Sequence, residues 1–125
     1  MPTNNVQWEN FDAIPSFSPV ANIRMQLIAG EQHMVNRVTI EPGGVVPLHS
    51  HSNEQSGIVL SGVLILTLDG ETRHLTAGDC YIIPANVEHA GATDDEGCVL
   101  FDIFCPPRDD YVALQQQARV KSGSN

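Results

Sequence analysis

Basic residues are scarce in this chain. One lysine and five arginines stand against fifteen aspartates and glutamates, a formal charge of −9 over 125 residues. A surface of that sign repels nucleic acid and anionic membranes, so neither is expected as a partner. Cysteine is sparser still. Cys80, Cys98 and Cys105 are odd in number and form no Cys-x-x-Cys pair, which argues against a disulfide frame or a zinc ribbon. Their apolar neighbours predict three buried free thiols in a reducing compartment. No apolar run is long enough to span a membrane. The opening residues have neither the basic head nor the apolar stretch of a secretion signal, so the cytoplasm is the expected location. Only 17% of residues are charged and 42% are hydrophobic, which suits one domain with a single core rather than a disordered chain.

What the chain does have is short apolar stretches punctuated by glycine, proline and aspartate. Strands are expected over residues 24–29, 33–40, 45–51, 58–68 (broken at Ser61-Gly62), 71–75, 80–83, 87–90 and 98–104. Asp69-Gly70 is a hairpin signal. Turns at intervals near ten residues predict an all-β sandwich or barrel. Residues 1–22, with Pro2, Pro15, Pro19 and the aromatics Trp8, Phe11 and Phe17, read as an arm docking on the barrel or on a partner subunit. The barrel is expected to span 23–108. Residues 109–125 form a short C-terminal helix, acidic at its start and basic at its end, with a frayed tail.

The chemistry gathers in Pro47-Leu-His-Ser-His-Ser-Asn-Glu-Gln55. On an extended strand, side chains two apart share a face, so His49 and His51 can bind one ion together. His89, after Pro84, supplies a third imidazole, a donor suited to divalent first-row ions. His33 and His74 lack such company. The fourth ligand is Glu54 or Gln55, and alternation puts Gln55 with Gly57 and Val59 while Glu54 faces the other way. Asp102 and Phe104 share one face of the last strand, which we expect to point inward. A carboxylate there needs a hydrogen bond, a cation or a job, and Arg108 or Arg37 are alternative ion-pair partners for it. Arg108 follows Pro106-Pro107 and can grip a carboxylate through two hydrogen bonds, or pair with Asp109 or Asp110 at the helix start.

Gly43, His49, His51 and Gly62 fall on the first cupin motif, G-x5-H-x-H-x3-4-E-x6-G, with Gln55 in the glutamate's place. Gly78, Pro84 and His89 fall on the second, G-x5-P-x-G-x2-H-x3-N, where Asn86 and Thr93 replace glycine and asparagine. The chain thus resembles the cupins. The ending Asp102-Ile-Phe-Cys-Pro-Pro-Arg-Asp-Asp-Tyr111 is similar to that of the small single-domain cupins of pectin and alginate breakdown, the KdgF type, apart from Cys105 where serine is expected. The resemblance implies a double-stranded β-helix, or jelly-roll barrel, forming a homodimer. It implies one divalent transition metal ion on His49, His51, Gln55 and His89, with zinc or nickel foremost and iron, manganese, cobalt or copper as alternatives. It further implies that Asp102 moves a proton, Arg108 holds a carboxylate and Phe104 positions a ring. The substrate would be an anionic sugar, a 4,5-unsaturated uronate monosaccharide opened to its linear keto form. A metal-dependent dioxygenase and a non-catalytic small-molecule-binding cupin are the alternative functions.

Overall fold

Alternation in the sequence becomes alternation of faces in the computed structural model, which describes residues 6–123; Met1–Asn5 of the arm and the last two residues of the tail lie outside them. Nine strands are present among the described residues: β1 (Ile23–Ala29), β2 (Met34–Ile40), β3 (Val45–His49), β4 (Glu54–Gly62), β5 (Leu64–Leu68), β6 (Glu71–Leu75), β7 (Cys80–Ile83), β8 (His89–Ala92) and β9 (Cys98–Cys105). They form two antiparallel sheets, one of order β1-β2-β9-β4-β7 and one of order β3-β8-β5-β6. The core lies between the sheets and includes Ile23, Met25, Leu27, Val38, Val59, Leu64, Leu66 and Leu100. This is the cupin barrel in two sheets, with one helix, α1 (Asp109–Lys121), at its end.

Turn chemistry explains where strands stop. Gly43, Gly62 and Gly78 of the two motifs all have positive φ, and Asn86, standing where the second motif has glycine, adopts φ 68°. Asparagine tolerates this region better than other side chains. Gly62 answers a second demand, because a Cβ there would lie 1.9 Å from the Gly97 carbonyl oxygen.

Three expectations need correction. The strand expected to reach residue 51 ends at His49: Pro47 has no N–H for the ladder, and the register shifts between Val46 and His49. The strand expected at 87–90 is His89–Ala92 instead. Of the three free thiols only Cys98 is buried. Cys80 shares the outer face of its strand with Ile82, and Cys105 shares that of β9 with Ile103, so both are exposed.

The arm runs across the barrel. Phe17 is buried and bridges Met25, Phe11 packs on Phe101 at 5.3 Å between ring centroids, and Trp8 stands 90% exposed. Gln115 of α1 ties arm, helix and sheet together. Its Oε1 accepts from the Leu27 N–H on edge strand β1 at 2.8 Å, and its Nε2 donates to the Pro15 carbonyl at 2.6 Å. That covers an edge otherwise open to pairing.

Candidate metal centre

His49 and His89 face each other across the β3–β8 ladder, and His51 enters from the loop before β4. The ring centroids of His49 and His51 lie 4.2 and 4.8 Å from that of His89, and one ligand nitrogen from each of the three lies within 4.8 Å of the others. Each ring turns Nδ1 to a backbone carbonyl two residues away: His49 to Pro47 at 2.8 Å, His51 to Asn53 at 3.1 Å, His89 to Val87 at 2.8 Å. A carbonyl can only accept, so Nδ1 carries the proton and Nε2 keeps its lone pair. His33 and His74 are exposed and stand apart.

Two observations test whether these residues fit a cation. His89 Nε2 is buried without a hydrogen-bond partner. His51 Nε2 lies 3.1 Å from Gln55 Oε1, two acceptors facing each other, an arrangement that a positive charge makes favourable. Burial, the Arg108 charge and the neighbouring imidazoles lower the proton affinity of His51 and His89, which keeps both neutral and able to ligate. The donor set of three neutral imidazoles and an amide oxygen fits a divalent transition metal ion. Glu54 lies on the exposed outer face of β4, while Gln55 is buried beside His51.

The inner face of the five-stranded sheet carries the rest of the site in rows. One row is Met34–Phe104–Gln55–Ile83, and the next is Leu27–Asn36–Asp102–Gly57–Tyr81. Asp102 is buried, and burial pushes its carboxyl up to about 6 despite donors from Tyr81 and Gln55 and the charge of Arg108. Its partner is neither arginine: the Tyr81 hydroxyl donates to Oδ1 at 2.7 Å, while Arg37 sits on the outer face with Asp12 at 2.8 Å. Gln55 therefore turns its amide N–H to Asp102 and its oxygen to His51.

Arg108 lies where the helix begins, its guanidinium 3.9 Å from the Tyr111 ring centroid. Its Nε and Nη2 donate to Asp110 at 3.2 and 2.8 Å, so the helix-start pairing weighed for it is present, with Asp110 rather than Asp109. Two of its five N–H groups are used there and three remain. Phe104 is only 2% exposed and packs against His51 and Tyr111 at 5.5 and 6.1 Å. The aromatic facing the mouth is Tyr111, which sequence reasoning did not single out. It was missed because a tyrosine in the first turn of a helix carries no signal of what it overlies. Tyr81 and Asn36 were also missed, although a glycine inside a strand pattern, Gly57, marked a close approach.

A pocket of ≈ 60 Å³ sits among His49, Gln55, His89, Tyr81 and Asp102. A vestibule of ≈ 260 Å³ walled by Pro19, Val20, Pro47 and Arg108 adjoins it and shares His49 and Tyr111 with it. The inner pocket admits a few water-sized groups.

Fold, motifs and site define the class. The family model described as "Cupin domain" matches residues 36–104, more than half of the chain, and the protein belongs to the cupin family. Among curated relatives, the pectin degradation protein KdgF of Dickeya dadantii is 34% identical over 71 residues, covering 56% of this chain and 64% of that protein. Quercetin 2,3-dioxygenase of Bacillus subtilis is 49% identical over 49 residues, 38% of this chain and 14% of the enzyme. The chain thus spans less than two thirds of the length of these curated relatives. A solved structure of KdgF from Halomonas sp. superposes with a TM-score of 0.72 at 26% identity, covering 77% of this chain and 89% of that one. Among the described residues no helix is long and apolar enough to cross a membrane.

Proposed function

We propose that this cupin converts 4,5-unsaturated uronate monosaccharides to their linear keto form. One observation carries the reading: three imidazoles whose ligand atoms lie within 4.8 Å of one another stand beside a pocket that the buried Asp102 lines, with Arg108 lining the space next to it. The likeness to the pectin degradation protein supports it.

His49, His51, His89 and Gln55 would hold the ion, which when bound supplies Lewis-acid stabilisation of negative charge developing on a substrate oxygen. Arg108, oriented by Asp110 and stacked on Tyr111, offers its remaining N–H groups to the substrate carboxylate at the mouth. Phe104 fixes the His51 and Tyr111 rings from behind. The reaction is an isomerisation. The C1 hydroxyl loses its proton as C1 becomes a carbonyl, the bond from C1 to the ring oxygen breaks, and the freed C5 enol becomes a ketone when C4 gains a proton. Asp102, buried and lining the pocket, moves that proton.

The test follows loss of ultraviolet absorbance from a 4,5-unsaturated uronate monosaccharide. Native protein should accelerate it, while chelator-treated protein and Arg108→Ala should not; decay at the spontaneous rate with metal-loaded native protein refutes the reading. A second reading, oxygen chemistry, draws on the 49% identity to the dioxygenase segment. Oxygen uptake by the iron- or copper-loaded protein with a phenolic substrate would favour it.

A further inference from the structure

The inner row Leu27–Asn36–Asp102–Gly57–Tyr81 crosses all five strands of its sheet, and its polar members are buried or nearly so. Tyr81 is not next to Asp102 on the ladder. Gly57 lies between them, paired with Asp102 on one side and with Tyr81 on the other. The tyrosine ring reaches across the glycine to make its 2.7 Å bond. A Cβ at Gly57 would lie 2.3 Å from both the ring Cζ and the hydroxyl of Tyr81, and 2.6 Å from Asp102 Oδ1. No ordinary side chain fits that slot. Packing alone does not explain the row, because Asn36, fully buried across the ladder from Asp102, has no partner for either atom of its amide. An aliphatic residue would fill the space without orphaning two polar atoms.

We propose that Tyr81 is the positioning residue of Asp102. Its hydroxyl donates to Oδ1 and fixes the orientation of the carboxyl, and Gly57 is the gap through which Tyr81 acts. This rests on the reading that Asp102 moves the proton in the uronate reaction. Tyr81 itself donates its only hydrogen to Asp102 and acts through it.

The experiment is a double-mutant cycle on the metal-loaded, full-length protein. Tyr81→Phe is expected to lower kcat by at least about tenfold, with KM within about threefold and metal content close to native. Adding Tyr81→Phe to Asp102→Asn is expected to cause no further loss, because the tyrosine has nothing left to position. An unchanged kcat in Tyr81→Phe, or losses that multiply in the double variant, would overturn the proposal. A readout that needs no substrate separates this from failure of the uronate reading. The chain has two tyrosines, so in Tyr111→Phe the Raman ring doublet reports Tyr81 alone. It should show a strong hydrogen-bond donor that is lost on adding Asp102→Leu; a doublet indifferent to that change refutes the pair whatever the substrate.

Discussion

Consider the metal-free protein titrated from pH 4 to pH 7. In the folded chain burial pushes Asp102 up to about 6, against 3.8 for a free aspartate carboxyl. Between those values the folded state keeps a proton that the unfolded chain has released. The contribution is therefore fully present below about pH 4 and is lost as pH rises through 6. A difference of roughly 2 units at 1.36 kcal/mol each is about 3 kcal/mol. His51 and His89 run the other way: burial lowers them, so their contribution is present above their unfolded value of 6.5 and is lost as pH falls. A single curve mixes the two trends, so the quantity to measure is native minus Asp102→Asn. Urea unfolding in chelator, followed by circular dichroism because Trp8 is too exposed to report, gives both stabilities at each pH. The difference should fall by about 3 kcal/mol from pH 4 to 7. Loading a divalent ion should shrink that slope, because its charge holds the carboxyl ionised. A difference flat to within about 0.5 kcal/mol across the range would mean that Asp102 is not raised, and the proton-transfer role would lose its basis.

Metal content by elemental analysis should be near one ion per chain, and His89→Ala should abolish it. Gln55→Ala should weaken binding about 10–100-fold while Glu54→Ala leaves it unchanged; the reverse order would exchange the two roles. Gln115→Ala orphans the Leu27 N–H and frees the Pro15 carbonyl, so unfolding should become easier by about 1–3 kcal/mol, with activity retained at low temperature. The outer face of the five-stranded sheet exposes Ile58, Ile82 and Ile103 beside Ser56 and Cys80, an apolar patch bordered by Glu54 on a chain of charge −9. A second copy is the expected occupant, since like faces there would bury the three isoleucines against each other. Light scattering should find a dimer for the native chain and a monomer for Ile82→Asp, and a monomeric native protein refutes that reading.

The histidine set was legible because its spacing and the two motifs point to one cluster, which the structure assembles, and the all-β class because turn residues recur so regularly. What sequence could not supply was whatever depends on a neighbour from elsewhere in the chain. His51 was expected on a strand and lies in a loop, since Pro47 interrupts the ladder before it. Cys80 and Cys105 were expected to be buried because their neighbours are apolar, but an apolar outer face is still an outer face. The inward direction of Asp102 followed from alternation along β9. Its partner did not, because Tyr81 reaches it across a third strand, and two alternations with a glycine between them specify no distance. Arg108 looked equally suited to a ligand and to a helix-start acid, and it is bonded to Asp110 with donors to spare.

Three carbonyls, of Pro47, Asn53 and Val87, decide how the metal centre behaves when empty. They hold the imidazoles in one tautomer and one orientation before any ion arrives, Pro47 from β3 and Asn53 and Val87 from the loops that lead into β4 and β8. Assembly of the centre is thus an event of folding, unlike a zinc finger, where the ion itself gathers the chain. An ion held there would leave or enter a site whose imidazoles already have their orientation. Which metal occupies the protein then reflects local coordination and the supply around it, and one preparation can be emptied and refilled with several ions to compare their chemistries in an unchanged frame.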